Sequence, residues 1–295
     1  MTLSNPERPP AVSADHAVQR VAGAAAPVAR PAASPVALIS KTLAIMGAEG
    51  HKLGHDPTEL LTRAVQPALW MLVFGEVFTR THAIPTGDVP YLDFMAPGIL
   101  AQSVLFIAIF YGLAIIWERD LGIVHKMLVS PTPRLALVLG KALAAGLRAL
   151  AQAVIIYVLA LALGVHMNWR PQALLGVLCI VLLGAAIFST FSLIIACIVR
   201  TRERFMGVGQ LLTMPLFFAS NAIYPVSVMP RWLQVVAHAN PLSYQVDALR
   251  RLMLAPAEGV GAPGEFGVGM DLLVLLVALA IVLTIASRLY PRIAR

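Results

Sequence analysis

Long uncharged runs divide this chain more clearly than any short motif. Five stretches lack Asp, Glu, Lys and Arg altogether: 94–117, 149–169, 171–199, 205–230 and 272–287. A bilayer core is crossed by roughly 20 apolar residues in helix. The last stretch is shorter, but Asp271 and Arg288 at its ends can sit at the two interfaces. A weaker run, 64–79, carries Glu76, which belongs near its outer end. The pattern predicts an all-α integral membrane protein with six transmembrane helices. The spans are expected at about 61–79, 94–117, 141–165, 172–199, 205–223 and 271–289, inside one transmembrane domain at 61–290. Both termini then lie on the same side.

The segments between the runs are patterned too. Residues 36–60 mix Val36, Leu38, Ile39, Leu43 and Ile45 with Lys41, Glu49 and Lys52. This reads as an amphipathic helix on the cytosolic face, broken by Gly47, Gly50, Gly54 and Pro57 before the first span. His51 and His55 have the i, i+4 spacing of a metal pair. Gly54 and Pro57 deny them a rigid helix, and two interfacial histidines are expected instead. In 118–141, Leu121, Val124 and Leu128 recur at helical spacing beside Glu118, Arg119 and Lys126, and Ser130-Pro131-Thr132-Pro133 forces a turn. A short amphipathic cytosolic docking element is expected there.

In 224–254, Pro225 and Pro230 interrupt the chain and Asn240-Pro241 offers an N-cap followed by a first-turn proline. A helix from about Pro241 to Leu254 is roughly 20 Å long, too short to cross. Two short re-entrant outer helices between spans five and six are therefore predicted. They close the outer end of a pathway, because irregular backbone survives at membrane depth only under protein cover or in a wet cavity. The first 35 residues, rich in Pro and Ala, read as a flexible cytosolic tail. Residues 291–295 form a cytosolic C-terminus.

Composition changes this picture in one respect. Only 13% of the 295 residues are charged and 59% are hydrophobic, with a mean hydropathy of +0.80. A soluble domain carries about 25% charged residues, so a soluble globular enzyme and a disordered chain are excluded. The net charge of +7 would suit nucleic acid. On the predicted topology, however, sixteen of the 22 Lys and Arg residues fall on cytosolic segments, five on outer ones, and Arg148 within a span. This is the positive-inside distribution, and no nucleic-acid partner is needed to account for it. Cys179 and Cys197 form no disulfide framework.

Chemistry-bearing motifs are missing. There is no G-x-x-x-x-G-K-[ST], since Gly140-Lys141 is followed by Ala142, and no H-E-x-x-H. No predicted span carries a central Asp or Glu for an ion relay. Arg148 either snorkels or pairs along a pathway. The chain thus has spans, an inner docking element and an outer re-entrant element, but no nucleotide site. No metal, cofactor or catalytic residue is expected in it.

Several short motifs, taken in order, carry a resemblance. Glu118-Arg119-Asp120-Leu121-Gly122, continuing to Leu128, Pro131 and Lys141, resembles the first cytosolic loop of ABC-2-type permeases. Arg202-Glu203-Arg204-Phe205 resembles the start of their fifth span. Pro225, Pro230, Trp232, Leu233, Asn240-Pro241-Leu242-Ser243-Tyr244 and Arg250 resemble their outer signature. The nearest branch is the drug-resistance and nodulation-factor exporters, and the likeness runs from about Leu60 to Tyr290.

The resemblance implies a permease subunit that pairs with a second copy, as a homodimer, and docks two ATPase subunits that bind ATP and Mg. It also implies a bacterial inner-membrane location with cytosolic termini and an amphipathic cargo: drug, lipid or lipo-oligosaccharide. It casts 118–129 as the ATPase-coupling helix, with Glu118, Arg119, Leu121, Gly122 and Leu128 in contact. Arg202, Glu203 and Arg204 form the second inner contact, and Asn240, Pro241 and Tyr244 shape the outer gate.

Phe106, Phe110, Tyr111, Phe188 and Phe191 offer aromatic surface at the expected dimer seam, or pack as ordinary apolar residues. Two rivals stand beside this reading. One keeps the fold and moves a lipid-linked polysaccharide. The other is an ion-coupled carrier or membrane-embedded enzyme, which needs an intramembrane acid, metal or nucleophile.

Overall fold

A computed structural model describes residues 47, 57–81, 84–87, 89–122, 134–199, 201–254 and 264–289. The predicted N-terminal tail, most of the interface helix with His51 and His55, the segment containing Leu128 and Pro131, and the C-terminus lie outside the described residues.

Those residues are helical, joined by turns. Helix α1 spans Pro57–Leu69 and runs through a widened π turn at Trp70–Gly75 into α2, Glu76–Thr81. Then follow α3 (Tyr91–Asp120), α4 (Arg134–Ala162), α5 (Pro171–Ile198) and α6 (Arg202–Phe218). A single 3₁₀ turn, Val226–Val228, precedes α7 (Arg231–Ala239), α8 (Pro241–Met253) and α9 (Val268–Leu289). Among the described residues four helices are long and apolar enough to cross a membrane: Tyr91–Asp120, Leu137–Ala162, Pro171–Ile198 and Val268–Leu289. They coincide with the runs expected as spans two, three, four and six. The α1–π–α2 rod and α6 occupy the first and fifth runs.

Helix α3 is the axis of the bundle. Met95, Ile99, Leu100, Val104, Leu105 and Ile109 are fully buried along it, and α4, α5, α6 and α8 all pack on it. The α3–α5 seam is close because residue 112 is glycine. A side chain there would collide with Ser192 and Phe205, and Ser192 instead donates to the Ile109 carbonyl. A second close approach holds the end of α3 that begins at Tyr91. Gly98 of α3 faces the backbone of Ala222, leaving no room for a Cβ. By contrast α9 exposes Leu273, Leu276, Val277 and Ile281, and α4 and α5 expose Val154, Val158 and Leu175. Such apolar faces suit lipid contact.

Helix α6 ends at Phe218 although the uncharged run continues to Pro230. The cause is capping from outside the helix. Asn240 Nδ2 donates to the carbonyls of Leu216 (2.7 Å) and Ala219 (3.1 Å), and Ser220 Oγ donates to Phe217 O at 2.7 Å. Helix α8 begins at Pro241 with Asn240 as its N-cap, as the sequence predicts, and its 13 residues are wedged between α3, α5 and α9. Leu242, Val246, Leu249 and Met253 are fully buried on it. Its far end is pinned by Asn168 N donating to Met253 O at 2.7 Å.

Candidate coupling surface and outer gate

The end of the bundle where α3 stops and α6 starts gathers two sequence segments that lie far apart. Helix α6 starts with Thr201 as N-cap, whose hydroxyl accepts from Arg204 N at 3.4 Å. That cap directs Arg202 back towards α3. Its guanidinium lies 3.7 Å from the centre of the Trp117 ring and 3.0 Å from Asp120 Oδ2. Arg119 reaches the other oxygen of the same carboxylate at 3.2 Å. Arg119, Asp120, Leu121 and Gly122 thus share one surface with Arg202, Glu203 and Arg204. Gly122 turns the chain with φ of +72°, a conformation that favours glycine. Leu121 is 69% exposed, and Glu203 and Arg204 are exposed as well. An exposed apolar side chain that follows charged residues in sequence is suited to contact a protein partner.

Glu118 is placed differently from its neighbours. Its carboxylate accepts from Lys141 Nζ at 2.6 Å, and the side chains are 12% and 5% exposed. The pair faces inward and braces α3 against α4. Breaking such a buried pair on one side costs about 3–5 kcal/mol. The half-exposed Asp120–Arg202 pair stabilises by only about 0.2–1 kcal/mol. Its importance lies in joining two surface segments.

At the start of α8 the three gate candidates are fastened to their surroundings. Asn240 is both N-cap, accepting from Leu242 N at 3.0 Å, and staple to α6. Pro241 supplies the first turn of α8. Tyr244 donates to His238 O at 2.8 Å and stacks on Phe266 with ring centres 4.6 Å apart.

Around them stands a polar cap of which the sequence reading singled out Arg250 alone. Asp247, fully buried, accepts from Glu265 N (2.7 Å), Phe266 N (3.1 Å) and Arg251 Nε (3.2 Å). Arg250, 1% exposed, donates to Asn221 O at 2.7 Å and sits 3.8 Å from the Phe94 ring centre. Glu265 Oε1 accepts from Val226 N at 2.7 Å. The i, i+3, i+4 spacing of Asp247, Arg250 and Arg251 in a short apolar helix was the available signal. In the first turn of α3, Asp93 faces His166 Nδ1 at 3.0 Å. Within the bundle, the Arg148 guanidinium lies over the Tyr111 ring at 4.8 Å.

This arrangement has known relatives. A family model described as ABC-2 type transporter matches residues 41–254. The chain is 29% identical to the ycf38 transport permease of Cyanophora paradoxa over 68% of this chain and 70% of that one. It is 28% identical to the daunorubicin resistance ABC transporter permease protein DrrB1 of Streptomyces coeruleorubidus, over 80% and 81% respectively. It is 29% identical to nodulation protein J of Rhizobium leguminosarum bv. trifolii, over 57% and 64%. With its long apolar helices and a family match across most of its length, the chain belongs to the ABC-2 type transporter family of membrane permeases.

Proposed function

We propose that this chain is the transmembrane subunit of an ATP-driven exporter of an amphipathic molecule: a drug, a lipid or a lipo-oligosaccharide. Permeases of this family work with an ABC ATPase subunit. In the proposed assembly two ATPase subunits bind ATP and Mg and dock beneath a permease homodimer in a bacterial inner membrane. The relatives named for daunorubicin resistance and nodulation support an amphipathic cargo. The chain itself is non-catalytic in this reading. Six spans, cytosolic termini and two re-entrant outer helices, α7 and α8, complete it.

The observation that carries the proposal is the inner surface on which Asp120 and Arg202 join the end of α3 to the start of α6. Leu121, Gly122 and Arg119 on one side, with Arg202, Glu203 and Arg204 on the other, form the ATPase contact. The resemblance adds Leu128, which lies outside the described residues, to that contact. Glu118 acts through Lys141, carrying movement of the docked segment into α4. When ATP draws the ATPase pair together, α3 and α6 move with it. The bundle then changes which face is open. Coupling requires the ATPase to bind the two permease states with different free energy. A shift from 1:99 to 99:1 takes about 5.5 kcal/mol.

At the outer end, Asn240, Pro241 and Tyr244 form the hinge of a gate made by α7 and α8. The fastenings of Asn240 to α6 give that gate a direct mechanical link to the inner surface, since α6 runs between the two. Co-purification of the permease with its ATPase, followed by ATPase stimulation across a panel of amphiphiles, tests the reading. Stimulation by amphiphiles that is lost in Leu121→Asp is the expected result. An ATPase that neither associates nor responds would overturn it.

A further inference from the structure

A cavity of about 120 Å³ lies between α1, α3 and α4. Gln66 and Pro67 of α1, Gln102, Phe106 and Phe110 of α3 and Gln152 of α4 are among its lining residues. Gln102 is eleven residues from the outer end of α3, and Gln152 is ten from the outer end of α4. At 1.5 Å per residue both lie about 15–17 Å deep, near the middle of a bilayer core about 30 Å thick.

The two glutamines are almost completely buried, at 3% and 1% exposed. Among the described residues, none of their four side-chain amide atoms has a hydrogen-bond partner. Unpaired buried amides destabilise a fold, and apolar residues of similar volume would avoid that cost. Placing two of them on facing helices against one cavity therefore points to an occupant that satisfies them.

The lining defines that occupant's chemistry. Two carboxamides offer both donors and acceptors and carry no charge. Arg148 stands one helical turn from Gln152 on the same helix. In a low-dielectric setting its charge repels a cation. Phe106 and Phe110, 6.1 Å apart between ring centres, present apolar surface beside the amides. The volume falls below the roughly 300–1,000 Å³ of pockets that enclose a whole drug-sized ligand, so the cavity seats one group of a larger molecule. We infer that it is a cargo subsite for an uncharged hydrogen-bonding group, a hydroxyl or carboxamide, of an amphiphile whose apolar body lies against Phe106 and Phe110. The inference rests on the exporter reading for the word cargo, but the binding chemistry stands on the cavity alone.

The test uses the full chain without its ATPase, in phosphatidylcholine nanodiscs, whose headgroups carry no hydrogen-bond donor. Thermal unfolding is titrated with decane-1,2-diol, decane and decyltrimethylammonium, since a ligand that binds the native state raises the melting temperature by an amount that grows with the logarithm of its concentration over Kd. The diol should stabilise the wild type, and decane and the ammonium probe far less. Gln102→Leu and Gln152→Leu should each weaken the diol about three- to tenfold, the loss expected for one hydrogen bond. Both should leave the weak response to decane unchanged and raise the melting temperature of the ligand-free protein.

Gln102→Asn and Gln152→Asn, with shorter reach, provide a second measurement if a leucine variant fails to assemble, and should also weaken the diol. Equal diol affinity in wild type and variants, or equal responses to all three probes, overturns the inference. Loss of the diol response in phosphatidylglycerol discs, whose headgroup is itself a diol, assigns the cavity to bound lipid and overturns the cargo role. Failure of ATP-driven export with diol binding intact removes the exporter reading and leaves the site.

Discussion

Arg202 binds Asp120 across 82 positions of sequence, at 3.0 Å, while its guanidinium covers the Trp117 ring. Two segments that resemble separate ATPase contacts are therefore one surface. A movement imposed on the end of α3 is imposed on the start of α6. Arg202→Glu should lower cargo-stimulated ATP hydrolysis at least about fivefold, the lower end of ordinary coupling energies. Its effect on stability should stay within about 1 kcal/mol, since the pair is half exposed. Stimulated hydrolysis in the complex and thermal unfolding of the permease alone check the two halves separately.

The Glu118–Lys141 pair behaves in the opposite way. Glu118→Lys leaves two ammonium groups in a buried site and should destabilise by about 3–5 kcal/mol. The double change Glu118→Met with Lys141→Met removes both charges and should recover most of that loss. Thermal unfolding in detergent of Glu118→Met, Lys141→Met and the double variant forms the cycle. A loss in the double variant equal to the sum of the two single losses would mean that the brace is not an interacting pair.

Asn240 satisfies three backbone groups at once: Leu242 N, Leu216 O and Ala219 O. Asn240→Ala should cost about 0.5–2 kcal/mol for the lost cap, with more from the two orphaned carbonyls. Hydrogen exchange should rise in 216–224 and at the start of α8 while the inner end of α3 stays protected. Exchange spread evenly over the bundle would contradict a local staple.

A pH effect belongs to the segment just before α9. Burial holds the Glu265 carboxyl above the ordinary carboxylate range, opposed by its bond from Val226 N and by Arg250. An acid whose folded pKa is raised binds more protons when folded than when unfolded. Stability therefore falls as pH rises from the ordinary carboxylate range through the raised value. Glu265→Gln keeps an acceptor for Val226 N without the charge. It should be more stable than wild type above that window and should flatten the pH dependence. A steeper dependence in the variant would refute the assignment.

Much of this architecture was legible in the residues, because the signals were local. The uncharged runs located α3, α4, α5 and α9, and Asn240-Pro241 located the start of α8. The π turn at Trp70–Gly75 was not legible, since no local feature separates it from ordinary helix. The end of α6 was missed for a different reason. Beside the local Ser220, two of its capping bonds come from Asn240, more than twenty positions away. The charges at the inner end were visible, but their partners were not. Glu118 reads as a docking contact in sequence, and only packing shows that Lys141 holds it. Gln102 and Gln152 sit silently in apolar runs, because a neutral amide leaves the hydropathy pattern intact.

The most direct test of the proposed function is cargo movement in sealed liposomes containing the purified permease, with and without its ATPase and ATP. The account predicts transport only when all three are present, and its loss in Leu121→Asp, whose exposed side chain can change without disturbing the bundle. Transport by the permease alone, in the absence of ATPase and nucleotide, would contradict it.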